Sequence, residues 1–195
     1  GMGGVGGIDM VALARMGIGK FTIADPDVFE IRNSNRQYGA MRSTNGQAKA
    51  EVMRNIVHDI NPEAEIRAFC EPIGKENAAT FLEGADVLVD GIDAFEIDLR
   101  RLLYREAQQR GIYALGAGPL GFSTAWVVFD PKGMTFDRYF DLSDAYRSIY
   151  VRKRLRCGNR HPLQRVKRRL LARYINRRSA GVIPGLRYHR TEPSY

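Results

Sequence analysis

The chain has 195 residues, 44% of them hydrophobic and 27% charged, the composition of a globular domain with a sizeable apolar core. The lack of any run of about 18 apolar residues argues against a transmembrane helix. The glycine-rich start carries no signal-peptide pattern. Two cysteines, Cys70 and Cys157, are too few for a disulfide framework or a four-cysteine zinc site, so a reducing, cytoplasmic setting is the default. The net charge of +8 is unevenly spread: residues 1–141 hold 15 Lys+Arg against 20 Asp+Glu, whereas 142–195 hold 15 against 2. A mildly acidic body thus carries a strongly basic tail, and the two call for separate explanations.

In chain order, Gly1 to Gly7 is a glycine loop, and Ile8–Met16 is predicted as a short helix stopped by Gly17 and Gly19. Phe21–Ala24 is a short apolar strand reaching Asp25, and an irregular polar stretch runs from Pro26 to Asn45. Ala48, Val52, Ile56, Val57 and Ile60 recur at helical spacing, predicting a helix over Gln47–Ile60 that Asn61-Pro62 ends. Glu65–Cys70 alternates as a strand, Asn77–Leu82 is a helical turn, and Val87–Val89 is a buried-type strand between Asp86 and Asp90. Phe95–Arg110 is predicted helical, Ile112–Leu115 and Ser123–Phe129 are predicted strands, and Gly116 to Gly121 falls between them as a loop.

Strands alternating with helices predict an α/β fold: a Rossmann-like, mostly parallel sheet with helices on both faces. A glycine loop of this kind normally follows a strand, so the first strand is expected to be missing. Ligands in such sheets bind beyond the carboxyl ends of the strands, where Asp25 and Asp93 fall.

Three clusters carry chemistry. Gly1-Met2-Gly3-Gly4-Val5-Gly6 fits the pattern G-x-G-x-x-G, in which backbone N–H groups approach a phosphate and a helix start lends its positive dipole end. Asp25, 19 residues beyond Gly6, stands where a carboxylate accepts hydrogen bonds from ribose hydroxyls. Arg36 and Lys49 follow on the loop and the helix start. Two fixed cations near a phosphate loop suit cleavage of a triphosphate, where they neutralise charge building on the phosphates. Taken singly, Arg36 also fits a surface ion pair, and Lys49 a solvated helix position. An NAD-dependent oxidoreductase would share the glycine loop, but a pyrophosphate and a hydride do not call for two such cations. Asp93, past a buried strand, can hold a hydrated Mg²⁺, which needs only one or two carboxylates; the alternative is that Asp90, more than Asp93, caps the helix near Phe95.

These motifs together resemble the ThiF/MoeB family, bacterial relatives of ubiquitin-activating enzymes, and in particular its tRNA threonylcarbamoyladenosine dehydratase branch. The residues that carry the resemblance are Gly1–Gly6, Leu13–Gly19, Asp25-Pro26-Asp27-Val28, Asn33-Ser34-Asn35-Arg36-Gln37, Gly46–Met53, Ile60-Asn61-Pro62 and Asp90-Gly91-Ile92-Asp93, covering about residues 1–130. The resemblance implies an ATP-dependent adenylyltransferase that activates a carboxylate as an acyl-adenylate. It places Gly3, Gly4 and Gly6 against the nucleotide and Asp25 on the ribose. Asn33, Arg36 and Gln37 would reach the phosphates, Lys49 would hold the triphosphate, and Asp93 would bind Mg²⁺; Arg36, Lys49 and Asp93 would be catalytic. The implied substrate is the carboxyl terminus of a small ubiquitin-like or sulfur-carrier protein, a peptide, or a carboxyl group on modified tRNA, and the implied assembly is a homodimer.

Some features depart from the family pattern. Ala94 stands where Asn usually follows the metal aspartate, and the paired Cys-x-x-Cys motifs of many relatives are absent, so no zinc is expected. Cys70 falls on a strand and reads as a buried structural cysteine; Cys157 matches no motif. The resemblance divides the chain into an adenylyltransferase domain, 1–141, and an Arg-rich tail, 142–195. In the tail Leu163, Val166, Leu170, Leu171, Tyr174 and Ile175 keep helical spacing among arginines. Such a run suits RNA, a membrane surface or an acidic partner, and an out-of-frame, non-native end reads the same way. A non-catalytic relative that binds a nucleotide or a partner is the alternative function.

Overall fold

A computed structural model of the chain describes residues 1–93, 96–120 and 122–142. Apart from residues 140–142, these belong to one compact unit, Gly1–Tyr139. The basic amphipathic run, Cys157, the expected helix start at Phe95, and Ala94 and Gly121 lie outside the described residues.

The elements follow the order α1 (Gly6–Arg15), β1 (Lys20–Ala24), α2 (Lys49–Ile60), β2 (Glu65–Phe69), α3 (Ala78–Phe81), β3 (Val87–Asp90), α4 (Ile97–Gln109), β4 (Tyr113–Leu120), β5 (Ser123–Phe129) and α5 (Phe136–Phe140). Two single 3₁₀ turns, Ile31–Asn33 and Arg42–Thr44, punctuate the stretch between β1 and α2. The helix α1 begins inside the glycine loop, two residues before the predicted start. It ends where Gly17 takes φ +94° and Ile18 N–H returns to the Leu13 carbonyl at 3.0 Å, a left-handed stop that suits glycine. The helix α4 ends the same way: Gly111 has φ +75°, and Ile112 N–H reaches the Ala107 carbonyl at 2.9 Å.

The chain folds as the expected mixed α/β protein with mostly parallel strands. β1 pairs in parallel with β2, from Lys20↔Glu65 to Ala24↔Phe69. β3 pairs in parallel with β4, from Val87↔Tyr113 to Asp90↔Gly116. β4 pairs with β5 antiparallel, from Ala114↔Phe129 to Leu120↔Ser123. Among the described residues these make two sheets rather than one. The amino-terminal segment touches the carboxyl ends of both: Met2 N–H donates to the Asp25 carboxylate at 2.7 Å, and Gly1 lies against Gly91.

The interior has two parts. The first is built by one face of α2: Val52, Met53 and Val57 are buried among Met10 and Val11 of α1, Ile23 of β1, and Phe29. Phe29 is fixed further along the same stretch, since a Cβ on Gly39 would stand 2.7 Å from its ring and 2.9 Å from Met53 Sδ. Each wholly buried side chain of this kind contributes about 1.5–3 kcal/mol. The second part is aromatic. Tyr104 of α4 meets Phe129 edge-on at 5.3 Å and Phe136 of α5 at 4.4 Å. Asp137 of α5 accepts from Arg101 Nε at 2.7 Å and Arg105 Nε at 2.6 Å, which fastens α5 to α4.

The strand β4 differs from the expectation. Gly116-Ala117-Gly118-Pro119 reads as a loop by composition, yet the strand continues through it to Leu120. The pairing with β5 supplies the ladder, and Gly116 is needed there for space: a Cβ would lie 2.7 Å from the Tyr104 hydroxyl. Packing thus overrides the local loop signal. Among the described residues no helix is long and apolar enough to cross a membrane.

Candidate functional site

The glycine loop meets the carboxyl ends of β1 and β3. A Cβ on Gly6 would collide with the Gly1 carbonyl oxygen, and one on Gly91 would lie 2.5 Å from that same oxygen and 3.0 Å from Gly6 Cα. These two glycines are therefore required for the loop to sit against the β3 end. At Gly3 and Gly4 a Cβ would make only ordinary contacts, 3.6 Å from Gln37 Nε2 and 3.5 Å from the Arg36 carbonyl oxygen. The start of α1 at Gly6 brings its positive dipole end to the loop.

Over the loop lies a strap formed by residues 27–49. Its two ends are tied together: Val28 bridges Ala48, Phe29 N–H reaches the Gln47 carbonyl at 2.9 Å, and Gly46 N–H reaches the Phe29 carbonyl at 2.7 Å. Asn33, buried, organises the turn inside the strap. Its Oδ1 accepts from Glu30 N–H at 2.9 Å, and its carbonyl accepts from the N–H groups of Arg36, 3.1 Å, and Gln37, 2.9 Å. Asn33 thus presents Arg36 and Gln37 to the glycine loop.

Those two residues differ in state. Arg36 is exposed and donates to Asn35 Oδ1 at 3.2 Å; no carboxylate pairs with it among the described residues, so the surface ion pair it could have made is not there. Gln37 is 7% exposed, and its Oε1 has no hydrogen-bond partner. A buried acceptor left unmade costs about 1–3 kcal/mol; it is the other end of the amide, Nε2, that lies beside Gly3.

Asp25, directly after β1, is buried, and its backbone N–H continues the ladder to the Phe69 carbonyl at 3.1 Å. Its Oδ2 accepts from Met2 N–H at 2.7 Å and its Oδ1 from Asp27 N–H at 2.9 Å. Each oxygen keeps a lone pair for a further donor, which suits a hydroxyl-bearing ligand. Lys49 opens α2, and its side chain is only 8% exposed. It is not the solvated helix position the sequence also allowed: Nζ pairs with Asp27 Oδ2 at 3.0 Å.

Beyond Gly91 the chain reaches Asp93, which is exposed and whose carbonyl accepts from Glu96 N–H at 3.0 Å. Asp90 is not a helix cap; α4 has its N-cap at Glu96. Instead Asp90 is buried and takes Arg100 Nε at 2.6 Å, Arg100 Nη2 at 3.3 Å, the Tyr104 hydroxyl at 3.0 Å and Ile92 N–H at 2.9 Å. Arg100 Nη2 also donates to the Ile92 carbonyl at 2.5 Å, so this cluster fixes the turn that carries Asp93. The sequence reading missed Asp27, Arg100 and Tyr104. Asp27 had a signal, the Asp25-Pro26-Asp27 repeat of carboxylates; Arg100 and Tyr104 had none, because an arginine and a tyrosine on an amphipathic helix are ordinary.

Cys70 corrects an expectation. It is exposed rather than buried, and it stands one residue past the end of β2. Desolvation, and then the Glu51 carboxylate 3.7 Å from Sγ, raise its thiol pKa above the ordinary value, which disfavours a thiolate nucleophile. Among the described residues no group of three or more His, Cys, Asp or Glu is arranged to hold a metal ion.

Residues 1–160 match the ThiF family. The chain belongs to that family. Among curated ThiF relatives, it is 37% identical over 117 residues to a tRNA threonylcarbamoyladenosine dehydratase of Haemophilus influenzae, covering 60% of this chain and 45% of the relative. It is 33% identical over 95 residues to a probable molybdopterin-synthase adenylyltransferase of Porphyra purpurea, covering 49% of this chain and 25% of the relative. The crystal structure of the Escherichia coli tRNA N6-threonylcarbamoyladenosine dehydratase in complex with AMP superposes with a TM-score of 0.56 at 34% identity, over 60% of this chain and 47% of that one. The same enzyme in complex with ATP gives a TM-score of 0.55 at 30% identity, over 63% and 56%. The chain thus spans about half or less of the length of these ThiF relatives.

Proposed function

We propose that this ThiF-family chain carries the nucleotide site of an ATP-dependent adenylyltransferase acting on a carboxylate. The observation that carries the proposal is the strap folded on the glycine loop, which lays the carbonyl and side-chain stem of Arg36, a cation without a carboxylate partner among the described residues, against Gly4 and the Nε2 end of the buried Gln37 amide against Gly3. Relatives solved with AMP and with ATP support a nucleotide there. In this reading an oxygen of the substrate carboxylate forms a bond to the α-phosphorus. The bond from that phosphorus to the bridging oxygen breaks, and pyrophosphate leaves with the electron pair.

The chain's own residues have distinct tasks. Gly3, Gly4 and Gly6 bring backbone close to the phosphates, and Asp25 orients the ribose through its spare lone pairs. Asn33 shapes the turn, Gln37 closes it, and Arg36 and Lys49 offset charge that accumulates on the phosphates in the transition state. An Mg²⁺ would fit Asp93, since that ion keeps several waters and takes its other ligands from substrate phosphates; bound there it would neutralise phosphate charge. The carboxylate belongs to a small ubiquitin-like or sulfur-carrier protein, a peptide or a modified tRNA, which are the substrate classes the family resemblance brings. The site is assigned to residues 1–141 and to a homodimer in the cytoplasm.

Carboxylate-dependent exchange of labelled pyrophosphate into ATP tests the proposal. Arg36→Ala and Asp93→Ala are each expected to lower exchange at least about 100-fold, as loss of a transition-state stabiliser does. Unchanged exchange in both variants sinks the site assignment.

A further inference from the structure

The Lys49–Asp27 pair has an arrangement that a simple structural ion pair does not explain. The Lys49 side chain is almost wholly buried, at 8% exposure, while the Asp27 side chain, whose carboxylate is 3.0 Å from the ammonium, is 69% exposed. Lys49 is the first residue of the twelve-residue helix α2, where the positive dipole end disfavours a cation. Burying a charge there is costly unless an anion compensates, and two positive features converge on one outward-facing carboxylate. Asp27 is held at that spot by its backbone: its N–H donates to Asp25 Oδ1 at 2.9 Å, and its carbonyl accepts from Lys49 N–H at 2.9 Å. The carboxylate side chain adds nothing to those two bonds, so it is free to give up the ammonium without loosening the strap.

We infer that Asp27 is a resident anion for Lys49: it holds the ammonium in place in the nucleotide-free protein and competes with the triphosphate for it, which weakens the hold on ATP and eases departure of pyrophosphate. This rests on the nucleotide-site reading above, and it makes Asp27 a positioning residue rather than a catalytic one. The signature is its sign. A substitution that merely damages the site weakens binding, whereas removing a competing anion tightens it.

The test uses the 195-residue chain, with dissociation constants measured by calorimetry for ATP, for inorganic tripolyphosphate and for adenosine. Asp27→Asn, which keeps shape and loses charge, is expected to bind ATP and tripolyphosphate about three- to fivefold more tightly, the upper part of the range for a partly exposed ion pair. Adenosine affinity stays unchanged. Asp27→Glu, which keeps the charge, stays within about twofold of wild type by the same reasoning, and Asp27→Ser follows Asp27→Asn should the latter fold poorly. Unchanged or weaker binding of both phosphate ligands in Asp27→Asn and Asp27→Ser overturns the inference. Tighter tripolyphosphate binding in a protein that does not bind ATP upholds it while removing the ATP reading; no binding of either ligand by wild type removes both.

Discussion

Replacing Arg100 by Leu removes the cation from the buried Asp90 carboxylate. Arg100 is 15% and Asp90 6% exposed at the side chain, and three hydrogen bonds disappear with the guanidinium, two to Asp90 and one to the Ile92 carbonyl. Breaking a buried pair from one side costs about 3–5 kcal/mol, because the other charge is left uncompensated. Asp90 retains the Tyr104 hydroxyl and Ile92 N–H, which places the expected loss at the lower end, about 3 kcal/mol. Urea unfolding of the two proteins at pH 7 measures it as a fall in the midpoint at constant slope. Arg100→Leu combined with Asp90→Asn should recover at least about 1 kcal/mol, since no orphaned charge then remains. A single-variant loss below about 0.5 kcal/mol, the size expected of a surface substitution, refutes the view that this pair is a buried brace for the Asp93 turn.

Two more outcomes follow from the geometry. Gly116→Ala puts a methyl 2.7 Å from the Tyr104 hydroxyl and should cost about 1–3 kcal/mol of stability by overpacking; because the hydroxyl is the obstacle, Tyr104→Phe, which gives up the bond to Asp90, should cost less in that background than in wild type, as a double-mutant cycle in thermal unfolding will read out. In a Cys157→Ala background, Cys70 should alkylate more slowly at pH 8 than a free thiol, since its pKa is raised by desolvation and by Glu51. A raised pKa means less thiolate at that pH, so Glu51→Gln should speed the reaction, and a rate at or above that of a free thiol contradicts the assignment.

Much of the fold was legible because periodicity and stop signals agree with packing. The spacing of Ala48, Val52, Ile56, Val57 and Ile60 predicted α2, and Asn61-Pro62 its end. The failures have physical causes. The strand over Gly116–Pro119 is held by cross-strand bonds to β5 and by a close approach of Tyr104, neither of which composition records. Cys70 was misplaced because strand alternation says nothing about the residue that steps off the sheet. At the site, the glycine loop and Asp25 could be placed from order alone, since strand ends and helix starts meet at one edge in an α/β fold. The hydrogen bonds of Asn33 within the strap turn and of Asp27 to Lys49 could not, because they join side chains to partners that order and composition do not record.

The two-part interior bears on how the site comes apart. One hydrophobic cluster spans Met2 to Ala64, and a separate aromatic group joins α4, β5 and α5. Such contiguous units open with their own free energies, which need not equal that of global unfolding. The glycine loop, Asp25 and the strap belong to the first, Asp93 and its Arg100 brace to the second. The nucleotide site proposed above draws on both parts, so it would persist only while both are closed at once, with a lifetime set by whichever opens sooner. A ligand that touches both sides would couple them and slow that opening, so occupancy doubles as a clasp on the molecule.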